Sequence, residues 1–138
     1  MINRVMFERL YEDIKKHLSR QCKYEPVVTK QPKGTKFPKV VVNLLTNTNV
    51  VKDSNGFISH SFIGVEINVF AKVSYINGQR ISEMKVAEDI ADECSFVCED
   101  IFGMKRAGYD PTPNIDEDIY RITLRYTATQ DDKRNCFF

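Results

Sequence analysis

An α+β fold with element order α-β-β-α-β-β follows from three features of the 138-residue sequence. Two stretches repeat apolar residues at three- and four-residue steps, two-residue alternation runs through 39–73 and 120–128, and Gly- or Pro-bearing stretches separate these blocks. Elements of this kind bury their apolar faces in two layers. The expected result is a mainly antiparallel four-stranded sheet with two helices packed on one face and a protruding β-hairpin. A chain of 16.0 kDa fits one domain over 1–138, and a domain of this size buries about two-thirds of its unfolded surface without disulfide or metal staples.

The first helix is expected over 1–20. Ile2, Val5, Met6, Leu10, Ile14 and Leu18 form its apolar stripe, with Arg4, Glu8, Arg9, Glu12, Lys15 and Lys16 between them. Residues 21–38 carry Pro26, Pro32, Gly34 and Pro38 and read as an extended connector, because proline fixes φ and removes backbone donors. The long hairpin spans 39–73. Val40, Val42 and Leu44 alternate on its first strand, Ser54-Asn55-Gly56 supplies the turn, and Ile63, Val65, Ile67, Val69, Ala71 and Val73 alternate on its second. Near the turn the pattern becomes polar (Thr46 to Asn49, Lys52, Asp53, Ser59 to Ser61), so the arm is expected to project beyond the domain body.

Asn77-Gly78 marks a further turn, and Ser82 is placed to cap the second helix, 82–102. Its stripe comprises Met84, Ala87, Ala91, Cys94, Cys98, Ile101 and Phe102, with Ile90 and Val97 alongside and Gly103 at a left-handed C-cap. The C-terminal strands occupy 104–129. A short one lies within 104–110, Asp110 to Asn114 reads as a turn, and Tyr120, Ile122, Leu124, Tyr126 and Ala128 alternate in the last. The tail Asp131 to Arg134 is expected to fray.

Composition excludes several classes. No run of about 18 apolar residues occurs, so a membrane-spanning helix and a membrane partner are not expected. Arg4, Glu8 and Arg9 interrupt any signal-peptide core, which predicts a chain that stays in the cytosol with Cys22, Cys94, Cys98 and Cys136 reduced. Net charge is +1, yet it is unevenly spread: residues 1–40 hold ten Lys/Arg against four Asp/Glu, and 81–118 hold three against eleven. That split suits head-to-tail contact between copies.

A search for chemistry gives little. Cys94 and Cys98 lie one helical turn apart on the apolar stripe, which favours core thiols over half of a zinc site. Glu88, Asp89, Asp92, Glu93, Glu99 and Asp100 fall opposite that stripe and read as a solvated face. Asp13 and His17 could orient an imidazole, but no nucleophile motif accompanies them, and no glycine-rich phosphate loop is present. Neither catalysis nor a cofactor is expected. Lys30, Lys33, Lys36 and Lys39, with Phe37 among them, form a basic stretch too small in one copy for firm phosphate binding.

The pattern resembles that of the tail terminator (tail completion) proteins of long-tailed bacteriophages and phage-tail-like particles. The resemblance is carried by Phe37-Pro38-Lys39-Val40-Val41-Val42, by Val65 to Lys72, by Ala87-Glu88-Asp89-Ile90-Ala91 and by Ile119 to Tyr126. It implies a virion protein assembled in the host cytoplasm as a hexameric ring, docked on the last ring of tail tube subunits and presenting a surface to head-completion (neck) proteins. It implies no catalysis and no cofactor. Arranged around a pore, the basic stretch would face passing DNA without sequence preference. On this reading the interface residues are Val50, Val51, Lys52, Asp53, Ser54, Asn55, Gly56 and Phe57 of the arm, with Lys30, Lys33 and Lys36 of the connector. The alternatives are a head-side connector or stopper, a small cytosolic enzyme or metal protein built on Cys94 and Cys98, and a monomeric binding module.

Overall fold

A computed structural model describes residues 4–31, 34, 36–52, 58–113, 119–131 and 133–137. The predicted Ser54-Asn55-Gly56 turn, Ile2, Pro32, Lys33 and Asn114 lie outside them.

Helix α1 runs Val5–Gln21 and buries Met6, Phe7, Leu10, Ile14 and Leu18. Strand β1 follows (Val27–Thr29), then the two strands of the long hairpin, β2 (Lys39–Lys52) and β3 (Ile58–Ala71). A small hairpin, β4 (Ser74–Ile76) and β5 (Gln79–Ile81), turns at Asn77 and Gly78 with φ of 52° and 80°. This is the positive-φ pair that Asn-Gly accepts at little steric cost.

Helix α2 (Glu83–Ser95) begins where Ser82 Oγ accepts the Lys85 N–H at 3.3 Å, as expected of an N-cap. It continues as a π-helical segment, Phe96–Ile101, and ends at Gly103 with φ 68°. Strands β6 (Lys105–Pro113), β7 (Tyr120–Asp131) and β8 (Cys136–Phe137) complete the chain.

The main sheet has six strands, not four. Its order is β1-β2-β3-β7-β6, with β8 on the far end of β7. The four expected strands pair antiparallel in sequence, β2 with β3, β3 with β7, and β7 with β6. The connector adds β1, which runs parallel to β2 with Val27 opposite Lys39, so the sheet is mixed. Three residues between prolines and lysines carry no period of their own, and only the neighbouring β2 makes them a strand.

Both helices lie on one face. α2 packs against β3 and β7, while α1 packs on α2 and the π segment. The core between the layers joins Phe7, Leu10, Ile14 and Leu18 to Val40, Val42, Ile63, Val65, Ile67, Val69, Ile90, Cys94, Ile122, Leu124 and Tyr126.

Four expectations need correction. Asp110 to Pro113 are strand, not turn: β6 is the sheet's edge, where proline's missing N–H can face away from the ladder. The second helix is not α-helical throughout. In the π segment the Phe102 N–H reaches Val97 O, five residues back, which turns Ile101 out to 53% exposure. Met84 is 49% exposed, and Val86 is buried instead. The tail does not fray where described: Asp131 accepts the Lys133 and Arg134 N–H groups at 3.0 and 3.1 Å, and β8 then returns onto β7.

The hairpin is also less isolated than its polarity suggests. β7 accompanies β3 as far as His60 opposite Asp131, so that among the described residues of β3 Ile58 and Ser59 extend beyond it. Midway, β2 bulges at Leu45, and Gly64 of β3 sits so close to Thr46 that an added Cβ would lie 3.3 Å from the Thr46 Cβ.

Candidate assembly surfaces

The two faces of the sheet differ because strand residues alternate sides. Opposite the helices, a row of polar side chains spans the two central strands, β3 and β7. Arg121 Nε donates to Thr123 Oγ1 at 3.2 Å, and Thr123 donates to Asn68 Oδ1 at 2.7 Å. Asn68 Nδ2 donates to Glu66 Oε1 at 2.8 Å, and Arg125 Nε donates to Glu66 Oε2 at 3.1 Å. Asn68 and Thr123 are buried. The Asn68 hydrogen bond, opposed by partial burial and reinforced by Arg125, holds the Glu66 carboxyl below its usual range. The polar groups of this row thus pair with one another across β3 and β7, while Arg121 and Arg125 stay exposed.

One end of that face is basic and aromatic. Lys39 stands opposite Phe70, and Phe70 opposite Arg121. Lys39 Nζ lies 5.2 and 5.1 Å from the Phe37 and Phe70 ring centres, Lys72 Nζ lies 4.7 Å from Phe37, and Arg121 lies 5.9 Å from Phe70. These are cation–π distances.

The structure separates the basic residues that the sequence groups together. Lys30 binds Glu8 of α1 at 2.5 Å and lies over Tyr11 at 4.7 Å, so it fastens the connector to the helix. Lys39 is 7% exposed and donates to Gly34 O at 3.4 Å. Lys36 is exposed, and Lys33 lies outside the described residues. The connector is thus not a uniform positive stripe. In the arm, Val50, Val51 and Lys52 continue β2, whereas Asp53 to Phe57 lie outside the described residues.

On the helix layer, the acidic residues of α2 are not all solvated. His17 pairs with Glu93, not with Asp13, and its ring stacks on Phe96 at 5.3 Å. Asp89 accepts from Lys85 at 2.8 Å and from the Tyr24 hydroxyl at 2.7 Å. Burial pushes the Asp89 carboxyl up, but these two donors bring it below its usual range, while burial and the Asp89 bond push Tyr24 up. Glu88, Asp92 and Asp100 remain exposed. A groove of about 240 Å³ lies beside Cys22, Tyr24, Asp89, Asp92 and Glu93.

Cys94 and Cys98 are both buried, with burial raising the first and pushing the second up to about 12. Neutral thiols of that kind are packing groups. Among the described residues, no group of three or more His, Cys, Asp or Glu is placed to hold a metal ion, and no helix is long and apolar enough to cross a membrane. Sequence reasoning missed the polar row on the sheet, because its members come from β3 and β7 and no local spacing joins them. No protein-family model matches the chain, and no curated protein matches it.

Proposed function

We propose that the chain is a structural subunit of a phage-tail or tail-like particle: a tail terminator that forms a ring, caps the tail tube and ends its growth. The observation that carries this reading is the long hairpin. Two strands of 14 residues each run from the apolar centre of the domain to a polar end held there by β7. One half of this hairpin supplies core, and its polar half is left to supply surface.

Two further features support it. The face of the sheet opposite the helices is polar and pre-ordered, which suits recognition by shape and hydrogen bonding. A basic and aromatic corner formed by Lys39, Lys72 and Arg121 around Phe37 and Phe70 lies on this face, while Glu88, Asp92 and Asp100 are exposed on the helix layer.

Termination on this reading is geometric. A cap matches the tube on one face and lacks, on the other, the surface that would recruit a further tube ring. The partners are then copies of the chain, the tube protein and a neck protein, with DNA passing through the lumen without sequence-specific contact. The setting is the virion, after assembly in the host cytoplasm.

Electron microscopy of the purified chain, alone and mixed with tube protein, tests the proposal. Rings seated at tube ends are expected, and tubes of limited length. Deletion of 50–57 should leave a folded protein that no longer caps tubes. Unchanged capping by the deletion variant refutes the role of the arm, and uncapped tubes with the intact chain refute the function.

A further inference from the structure

On the helix side, the two margins of the sheet carry opposite charge. In the order β1-β2-β3-β7-β6, α1 lies above the first strand: the Tyr11 hydroxyl donates to Val28 O at 3.2 Å, and Lys30 pairs with Glu8. The face that α1 turns away from the core exposes Arg9, Lys15, Lys16 and Arg20, against the exposed carboxylate of Glu12.

At the other margin the helix layer stops short. Arg106, Tyr109 and Pro111 stand opposite Tyr126, Leu124 and Ile122, whose side chains lie in the core, so they point to the helix side of β6. All three are exposed, because α2 packs on β3 and β7, further in. Between α2 and β6 this leaves a shallow groove of about 510 Å³ lined by Asp92, Arg106, Ala107, Gly108 and Tyr109. Glu88 stands one turn before Asp92 on α2, and both are exposed. Burial and the carboxylates of Glu88 and Asp92 push the Tyr109 hydroxyl up, which sets that ring beside the acidic flank of the helix.

We propose that the outer face of α1 in one copy seats in this groove on the next, Lys15 and Lys16 against Glu88 and Asp92, as the contact that closes the ring. The inference rests on the ring reading above and names the two surfaces that make it. Charge complementarity identifies the occupant. Among the described residues, Lys15, Lys16 and Arg20 form no ion pair, and neither do Glu88 and Asp92. Lys85, on the same helix, is held by Asp89 at 2.8 Å, and Arg106 lies over Tyr109 at 5.9 Å. Both sets of charge are thus uncompensated within the subunit.

Position agrees with charge. The basic face and the acidic groove lie at opposite ends of the strand order, so a single copy does not bring them together. A contact between unlike surfaces, repeated with a constant rotation, generates a ring when the rotation closes. Tyr109, Pro111 and the 49% exposed Met84 give the groove apolar surface on which the aliphatic stems of Lys15 and Lys16 can lie.

Charge exchange tests this. One variant carries Lys15→Glu with Lys16→Glu, and a second carries Glu88→Lys with Asp92→Lys. All four positions are exposed, so circular dichroism should show both variants folded like the parent. Each alone sets like charges against each other and should form rings about tenfold less readily, measured by sedimentation and electron microscopy with and without tube protein. Mixed, the two alternate. The reversed α1 of one meets the reversed groove of the other, each unaltered α1 meets an unaltered groove, and rings should return. Either variant forming rings alone as readily as the parent overturns the contact, as does a mixture that stays apart, and both results leave the ring reading standing. Loss of tube capping by Glu88→Lys with Asp92→Lys, its own ring intact, assigns the groove to the tube protein and overturns the inference. A parent chain that stays monomeric at all concentrations, even beside tube protein, overturns the ring reading itself.

Discussion

Tyr126, in the middle of β7, donates its hydroxyl to Ser95 Oγ at 2.8 Å, with Glu99 Oε2 at 3.1 Å from the same oxygen. The bond joins the central sheet to the point where α2 passes into its π segment. A fully buried ring with a polar tip thus marks the place where the helix changes its winding.

Removing that hydroxyl should loosen the junction without opening a cavity. Tyr126→Phe is expected to cost about 1 kcal/mol, the usual net worth of one such hydrogen bond. Urea unfolding followed by circular dichroism measures it, and an unchanged midpoint would show that Ser95 and Glu99 are equally well satisfied by water.

The polar row on the sheet predicts a larger effect. Thr123→Val keeps shape but removes the donor to the buried Asn68 Oδ1 and the acceptor for Arg121. A loss of roughly 1–3 kcal/mol is expected, because the orphaned group stays desolvated. Asn68→Leu in the same background should recover part of it, and additive losses in the double-mutant cycle would argue against the network.

Acid should act through Glu66. Its folded carboxyl titrates below the unfolded reference of 4.5, so its contribution is fully present above that value and disappears as pH falls through the folded pKa. Glu66→Gln should therefore be less stable than the parent near pH 7 and should converge with it as pH falls through the folded pKa. Parallel stability curves across that window would exclude the assignment.

Thiol reactivity separates the packing reading from a metal site. Of the four cysteines only Cys136 is exposed. A chromogenic disulfide reagent should titrate one thiol in the native protein and all four in denaturant, and elemental analysis should find no stoichiometric zinc. Slow native reaction of a second thiol, or bound zinc, would revive a functional role for Cys94 and Cys98.

Much of the fold was legible because its signals are local. Ser82 caps α2, Asn77-Gly78 turns β4 into β5, Gly103 ends the helix with positive φ, and the alternation from Ile63 to Ala71 gives β3 its buried face. Illegible features depend on distant neighbours. β1 is a strand only because β2 lies beside it, and Pro111 signalled a turn because sequence alone does not reveal that its strand lies at an edge. Phe7, 1% exposed, stands three residues before Leu10 and seven before Ile14, so helical spacing places it on the buried stripe. Among the candidate interface residues, Lys30 looked free because its carboxylate partner, Glu8, precedes it by 22 residues. The Glu66–Asn68–Thr123 row was hidden for the same reason: Asn68 and Thr123 are 55 residues apart.

Gly64 gives the arm its aim. A methyl group there would stand 3.3 Å from Thr46 Cβ and Oγ1, tighter than ordinary packing, beside the bulge at Leu45. Gly64→Ala would require Thr46 to give by a few tenths of an ångström, a local shift on the strand that carries the arm. A fault in where the tip lands could thus originate in the middle of the sheet, with every residue of the tip itself unaltered.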